Sequence, residues 1–149
     1  LKNSLESPYY QPYPQDKIDP QGDLSKMPRS IRPKSEVQNL FYEVGISENA
    51  EGLHIDFEIK GTIGVPVTLE LIFRPGGKLY GVNHVPGRPN SNLFSDQQAT
   101  YTMGEDTIKF GPGIVMHKGI NLRGALSAIE ALTVYLTGIT PFKHTLKLS

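Results

Sequence analysis

The chain has 149 residues, with neither cysteine nor tryptophan, and its 15 basic and 15 acidic residues cancel to a formal net charge of zero. This length is enough for one ordinary domain with a real core. The lack of cysteine excludes disulfides, zinc–thiolate sites, iron–sulfur clusters and cysteine nucleophiles. The neutral balance gives no electrostatic argument for nucleic acid as a partner. No apolar run approaches the roughly 18 residues that cross a bilayer, so no membrane span is predicted.

The N-terminal part of the chain is rich in proline. Six of the 12 prolines but only one of the 15 glycines lie within residues 1–33. Proline removes a backbone donor and clashes with the preceding helical turn, so residues 1–35 are predicted to form an extended arm or linker. We interpret the tyrosines of this arm as rings that lie on this domain or on a neighbouring one, and its basic cluster as a solvated entry segment: Tyr9, Tyr10, Tyr13, Arg29, Arg32, Lys34.

From residue 36 onward the pattern is typical of β structure, and residues 36–149 are predicted to form one β-sandwich domain. The stretch LHIDFEIKG at 53–61 alternates strictly between apolar and polar residues, which indicates a strand with one buried face. VTLELIFRP at 67–75 alternates again, and the PGG that ends it predicts a turn. Ile72 is apolar in the outward register of this run, which suggests that the second strand is covered on both sides.

The remaining segments continue this pattern of short strands and turns. We expect a long loop at 86–96, a hairpin at 98–113, a short strand at 114–120 and a final strand at 140–149. The segment 122–138 is interpreted as a loop or single helical turn that leads into a strand. Turn signals about every 8–12 residues favour an antiparallel β-sandwich with jelly-roll-like character. The predicted core is Leu53, Ile55, Phe57, Leu69, Leu71, Phe73, Phe110, Val134 and Leu136.

Motifs for hydrolysis and phosphate binding are absent from the sequence. The four histidines lack the spacing of ligands on one helix or strand, so neither a metal site nor a cofactor is predicted. Asp56 and Glu58 share one face of a strand, which is also how a solvated strand face looks, and we interpret them in that way. The catalytic residues, if any, stay unknown.

The most suggestive polar residues lie beside glycine or proline at the predicted strand ends. Three arginines in the contexts FRPGG, GRPN and LRGAL offer planar guanidinium groups suited to a carboxylate. With nearby tyrosine, asparagine and histidine residues they could form a site for an acidic sugar; alternatively, they cap carbonyl groups and bridge loops. The candidate ligand-binding set is Arg74, Tyr80, Asn83, His84, Arg88, His117 and Arg123.

Three phrases of the sequence resemble a known kind of protein: GVPVTLELIFRPGGKLYGV at 64–82, YTMGEDTIKFGPG at 101–113 and VYLTGITPFKHTL at 134–146. They are similar to the C-terminal β-sandwich region of large, mostly uncharacterised bacterial proteins of the polysaccharide lyase or glycoside hydrolase sort. The resemblance covers about residues 28–149. It implies an accessory domain that stands behind a separate catalytic domain, and it carries over no catalytic residue.

The leading prediction is therefore an accessory, non-catalytic β-sandwich domain of a bacterial polysaccharide-processing protein. Polysaccharide or an acidic sugar is the expected ligand, and a neighbouring catalytic domain is a possible partner. Two alternatives stay open: a small lyase or hydrolase with its site at the loop-rich end, and a structural or protein-binding module. Because the chain begins at Leu1, we expect it to be processed or part of a longer protein. The compartment is open, with a secreted or periplasmic location favoured.

Overall fold

The computed structural model describes residues 1–118 and 131–149 of the chain. Its regular structure consists mainly of strands, so the predicted all-β class is confirmed. Short 3₁₀ turns occur at Gln15–Lys17, Leu24–Lys26 and Arg29–Ile31. The strands of the described residues are β1 (Lys2–Tyr10), β2 (Lys34–Asn49), β3 (Gly52–Gly61), β4 (Pro66–Ile72), β5 (Lys78–Tyr80), β6 (Asn83–His84), β7 (Ser91–Leu93), β8 (Ala99–Met103), β9 (Asp106–Gly111), β10 (Thr133–Ile139) and β11 (Phe142–Leu148).

The larger of two sheets has seven strands in the order β1-β2-β3-β11-β9-β8-β5. Neighbouring strands pair antiparallel throughout this sheet. Three of its pairs join strands that are consecutive in the chain, whereas β11 arrives from the end of the chain and inserts between β3 and β9. The large sheet is therefore completed only by its last strand.

The smaller sheet has four strands in the order β4-β10-β7-β6. Its central strand β10 pairs antiparallel with β4 but parallel with β7. The alternating pattern at 67–75 fits this position, since Leu69 and Leu71 face the core while Ile72 is 55% exposed. The described residues therefore do not provide the second cover that Ile72 suggested.

The hydrophobic core lies between the two sheets. Each fully buried valine, leucine, isoleucine or phenylalanine side chain contributes about 1.5–3 kcal/mol to the stability of the fold, relative to an exposed one. Of the predicted core residues, Phe110, Val134 and Leu136 are buried. Five more pack against the same cluster while keeping some exposure: Ile55, Phe57, Leu69, Leu71 and Phe73.

The prediction that Leu53 belongs to the core is wrong, because its side chain is 40% exposed. The large sheet extends through β2 and β1 beyond the area that the small sheet covers. We call β1, β2 and the adjoining start of β3 the wing. Its apolar side chains Leu5 and Ile46 are 58% and 69% exposed. Alternation placed Leu53 on the correct face of its strand, but the small sheet does not reach that part of the face.

Within the segment 1–35, predicted as an extended arm or linker, residues 2–10 form strand β1 of the large sheet. β1 pairs with β2 along most of its length, and β2 begins at Lys34, two residues before the predicted domain boundary. Between these strands, Tyr13 donates a hydrogen bond to the carbonyl oxygen of Met27. The guanidinium carbon of Arg32 lies 5.2 Å from the centre of the Tyr13 ring. This ring therefore lies on its own segment.

Two local predictions, one of a loop and one of a strand, need correction. The predicted loop 86–96 contains strand β7, and Asn92 and Phe94 are buried there. The predicted strand at 114–120 is reduced, over its described residues, to one bridge between Val115 and Thr137. The strand expected near residue 138 is present as β10, whereas residues 119–130 lie outside the described part of the chain.

Among residues 1–118 and 131–149, no helix combines the length and apolar character that a membrane crossing requires.

Candidate functional site

One face of the large sheet points away from the small sheet, and we call it the outer face. Successive side chains of a strand point to opposite faces, so the apolar residues of an alternating strand enter the core and its polar residues lie on the outer face. On β3 these residues are His54, Asp56, Glu58 and Lys60, and the register sets Lys143 beside Glu58, Thr145 beside Asp56 and Lys147 beside His54.

The centre of the outer face is a compact charge cluster. The ammonium nitrogens of Lys143 and Lys60 lie 2.7 Å and 2.8 Å from Oε1 of Glu58. Lys143, and then Lys60, lower the pKa of Glu58 from 4.5 to about 2, against a smaller opposite effect of desolvation. The pairing raises the pKa of Lys143. Glu58 is thus an ionised structural carboxylate and not a proton donor near neutral pH.

Asp56 also has a partner on β11, because the hydroxyl group of Thr145 donates a hydrogen bond to its Oδ1. Asp56 and Glu58 are therefore each held by neighbours on β11. The structure places both carboxylates on the outer face, where these contacts join β3 to β11.

A concavity of about 380 Å³ opens on the outer face beside the β2–β3 turn. We call it the amide–lysine groove. Its polar side chains come from four separate segments: Glu51 and His54, Gln97 and Gln98, Lys109, and Lys147 with Ser149.

The floor of the amide–lysine groove is shaped by Gly111. Lys147 lies between His54 on one side and Gly111 on the other. A Cβ on Gly111 would lie 2.1 Å from the carbonyl oxygen of Gln97, and its φ is +158°. This close approach of two backbones leaves the position without a side chain, so the space above it stays open.

The charge of the groove is mainly positive. Lys109 and Lys147 are exposed, and within the described residues neither side chain forms an ion pair. Glu51 is the acidic side chain of the lining, while Gln97 and Gln98 add amide donors and acceptors. Two free ammonium groups beside amides and an imidazole suit a ligand with carboxylates and hydroxyl groups.

Of the candidate residues taken from the sequence, Tyr80 lies on the outer face. The register aligns it with Thr100, and Thr100 with Lys109. Two strand spacings of about 4.8 Å each therefore separate the backbones of Tyr80 and Lys109. Tyr80 is 55% exposed, so its ring is available beside the groove.

Four other candidates lie on or near the small sheet. Asn83 and His84 form its edge strand β6, and Asn83 donates a long hydrogen bond of 3.4 Å to Ser95. Arg88 lies in the turn between β6 and β7. Arg74 follows β4 on the opposite side of this sheet, and its carbonyl oxygen accepts a hydrogen bond from Tyr101.

His117 lies at the far end of the small sheet. Its Nε2 is 3.1 Å from the carbonyl oxygen of Val67, and its backbone N–H reaches Thr137. Arg74 and Arg88 lie near Thr133, at the other end of β10. Four residues at about 3.4 Å each separate these ends of the strand. The structure therefore does not bring His117 together with the arginines, and Arg123 lies outside the described residues.

Within the part of the chain that the structure describes, His, Asp and Glu side chains form no group of three or more that could hold a metal ion.

Sequence reasoning missed most of the amide–lysine groove. Its residues are far apart in the chain, and no spacing rule connects Gln97 with Lys147. The register of β11 against β3 and β9 makes them neighbours. The sequence does place His54 and Lys147 at polar positions of alternating strands, and this pattern could have indicated that both lie on the outer face.

Comparison with models of known protein families, with curated proteins and with solved structures gives no match for this chain.

Proposed function

We propose that this chain is an accessory, non-catalytic β-sandwich module of a bacterial polysaccharide-processing protein, and that it binds acidic polysaccharide in the amide–lysine groove. One observation carries the proposal: Lys109 and Lys147 line the same groove as the amides of Gln97 and Gln98. Among the described residues, neither lysine has an ion-pair partner. The sequence resemblance supports the same class of protein.

The groove suits a uronic acid residue better than a neutral sugar. A sugar carboxylate forms charge-assisted hydrogen bonds with ammonium groups, and these are about twice as strong as neutral ones. Hydroxyl groups of the same ring can bind the amides and His54. Tyr80, in line with Lys109 across the sheet, offers an aromatic face for an adjacent sugar ring.

Affinity electrophoresis tests the proposal. The purified chain is run through gels that contain a polyuronate, and through gels with a neutral polysaccharide of similar length. We expect retardation in the polyuronate gel alone. Lys109→Ala and Lys147→Ala should each weaken binding roughly tenfold, which corresponds to the loss of one charge-assisted contact.

Two control variants separate this site from other surfaces. Lys17→Ala removes the same charge from a 3₁₀ turn outside the groove and should bind like the wild type. Arg88→Ala removes a candidate near the small sheet. If Lys17→Ala weakened polyuronate binding as much as the groove variants do, the effect of charge would be nonspecific. If only Arg88→Ala weakened binding, the site would lie at the loops of the small sheet and not in the groove. No retardation of the wild type by any polyuronate would end the proposal.

A further inference from the structure

We propose that β1 is a self-association edge: a second copy of this chain pairs antiparallel with β1, so that two large sheets become one continuous sheet. This interface does not involve the amide–lysine groove and does not rest on glycan binding. β1 occupies one border of the seven-stranded sheet, and an edge strand is a template for another strand.

The hydrogen bonds to β2 show which backbone groups of β1 face outward. Leu1 and Val44 exchange both backbone hydrogen bonds, at 2.8 Å and 2.7 Å. In an antiparallel ladder such pairs alternate, so odd-numbered residues of this stretch bond to β2. Lys2, Ser4 and Glu6 therefore point their N–H and C=O groups away from the sheet.

The register centred on Ser4 pairs all three outward-facing residues without placing like charges opposite each other. With Ser4 opposite Ser4 of the second copy, Lys2 lies opposite Glu6, and Glu6 opposite Lys2. All three pairs then join outward-facing residues. Centring the pair on Lys2 or on Glu6 places like charges opposite each other, which is destabilising. Centring it on Leu5 places Lys2 opposite Pro8, which has no N–H to donate.

Ion pairs with residues of β2 hold the side chains of Lys2 and Glu6 on the outer face, where that register places them opposite each other. The ammonium group of Lys2 lies 3.0 Å from Glu43, and Glu6 lies 3.0 Å from the ammonium group of Lys34. Both pairs lie across the β1–β2 ladder on the outer face. In the dimer each Lys2 would lie between Glu43 and the second copy's Glu6, so charges alternate across the junction.

Charges on an edge strand usually prevent association because copies carry the same sign. Here the two signs are placed symmetrically about Ser4, and the edge is self-complementary instead. Pro8 limits the pairing at one end, since it has no N–H to donate. The N–H of Ser4 is satisfied meanwhile by Oδ1 of Asn3 at 2.8 Å, a local bond that the interchain bond would replace.

The opposite face of the same strands supplies apolar contacts. Leu5 is 58% exposed and Leu1 is 82% exposed. In the Ser4-centred register Leu5 lies opposite Asn3 and diagonally opposite both Leu1 and Leu5 of the second copy. Diagonal neighbours about 7–8 Å apart at the backbone are within reach of long side chains.

Analytical ultracentrifugation over a concentration series tests the interface. We expect a monomer–dimer equilibrium for the wild type, and a shift to monomer for Ser4→Pro. Proline at this position removes an outward N–H that the β2 ladder does not use, so the melting temperature of the monomer should change little. A wild type that stays monomeric up to about 1 mM would overturn the proposal. So would a dimer that Ser4→Pro leaves unchanged in a folded chain.

A charge exchange identifies the register itself. Lys2→Glu alone and Glu6→Lys alone each place like charges opposite each other in the homodimer and should weaken it about tenfold. Mixing these two variants should restore dimers, because each contact between position 2 of one chain and position 6 of the other then joins opposite signs. Lys78→Glu, on the far edge strand β5, is the matched control and should dimerise like the wild type. A mixture that stays monomeric while the wild type dimerises would show that this register is wrong.

Discussion

Lys143 on β11 places its ammonium nitrogen 2.7 Å from Oε1 of Glu58 on the neighbouring strand β3. This ion pair joins the strand that completes the large sheet to the strand that precedes it in the sheet order. Together with Lys60 it fixes the protonation state of Glu58. The charged half of the alternating run at 53–61 is therefore a network across strands, and not merely a set of separate solvated side chains.

Acid should weaken the fold through Glu58. Its pKa is lowered from 4.5 to about 2, so its contribution is present above about pH 4.5 and disappears as the pH falls towards 2. We expect Glu58→Gln to lower the melting temperature at pH 7 and to show a smaller further loss between pH 4.5 and 2 than the wild type. Thermal unfolding followed by circular dichroism across this range measures both effects.

Glu105→Gln is the matched control, because Glu105 lies in the exposed turn between β8 and β9. It should retain the acid-dependent loss of the wild type. If Glu58→Gln also kept the full loss, the network would contribute nothing to the pH dependence.

Two leucines should respond very differently to truncation. Leu136 is 0% exposed on β10, so Leu136→Ala should lower the free energy of unfolding by about 2–5 kcal/mol. Leu53 lies on the wing and is 40% exposed, so Leu53→Ala should cost about 1 kcal/mol or less. Urea denaturation gives both values. Equal losses would indicate that the wing is covered in solution.

Gly77, in the PGG turn, packs so closely against the ring of Tyr101 that a side chain would not fit. A Cβ on Gly77 would lie 2.3 Å from the ring of Tyr101, which is buried and donates a hydrogen bond to Arg74. Gly77→Ala should therefore cost about 1–3 kcal/mol through overpacking. Gly45→Ala is the control, since its Cβ would meet Asp56 at an ordinary contact distance of 3.8 Å. Differential scanning calorimetry of the two variants should show a large loss for Gly77→Ala alone.

Dimerisation through β1 should also change glycan binding, if both proposals hold. Pairing of Ser4 with Ser4 joins the two outer faces into one face of the continuous sheet, so each dimer carries two amide–lysine grooves. Two linked sites gain avidity without new contacts. Ser4→Pro should therefore bind immobilised polyuronate less tightly than the wild type, yet bind a single-site oligosaccharide equally well. Surface plasmon resonance compares the two ligands, and equal binding of both would exclude bivalency.

The alternation of apolar and polar residues was sufficient to predict strands and their inward faces, as Ile55, Leu69 and Leu71 show. It could not predict how far the second sheet extends, and Leu53 was misplaced for that reason. β1 was missed because proline in a sequence argues against a central strand, whereas an edge strand tolerates it. β7 was missed because three residues are too short a window to show a period.

The candidate site was less predictable than the fold. Tyr80 was named from its neighbours in sequence, and it lies on the outer face. Lys109 and Lys147 were not named, because each is an ordinary polar residue of its own strand. They become a site through the pairing of β11 with β3 and β9, and strand order between distant segments leaves no local pattern in a sequence.

The positions of β10 and β11 govern when this chain can fold during synthesis. β4 and β7 are made well before β10, which separates them in the small sheet, and β3 and β9 are made before β11. Until residues 133–148 leave the ribosome, Phe94 and Phe110 lack the strands that bury them. A nascent chain at that stage exposes core side chains and unpaired strand edges, which are the features that make folding intermediates prone to aggregation. Folding of both sheets therefore waits for the same C-terminal segment.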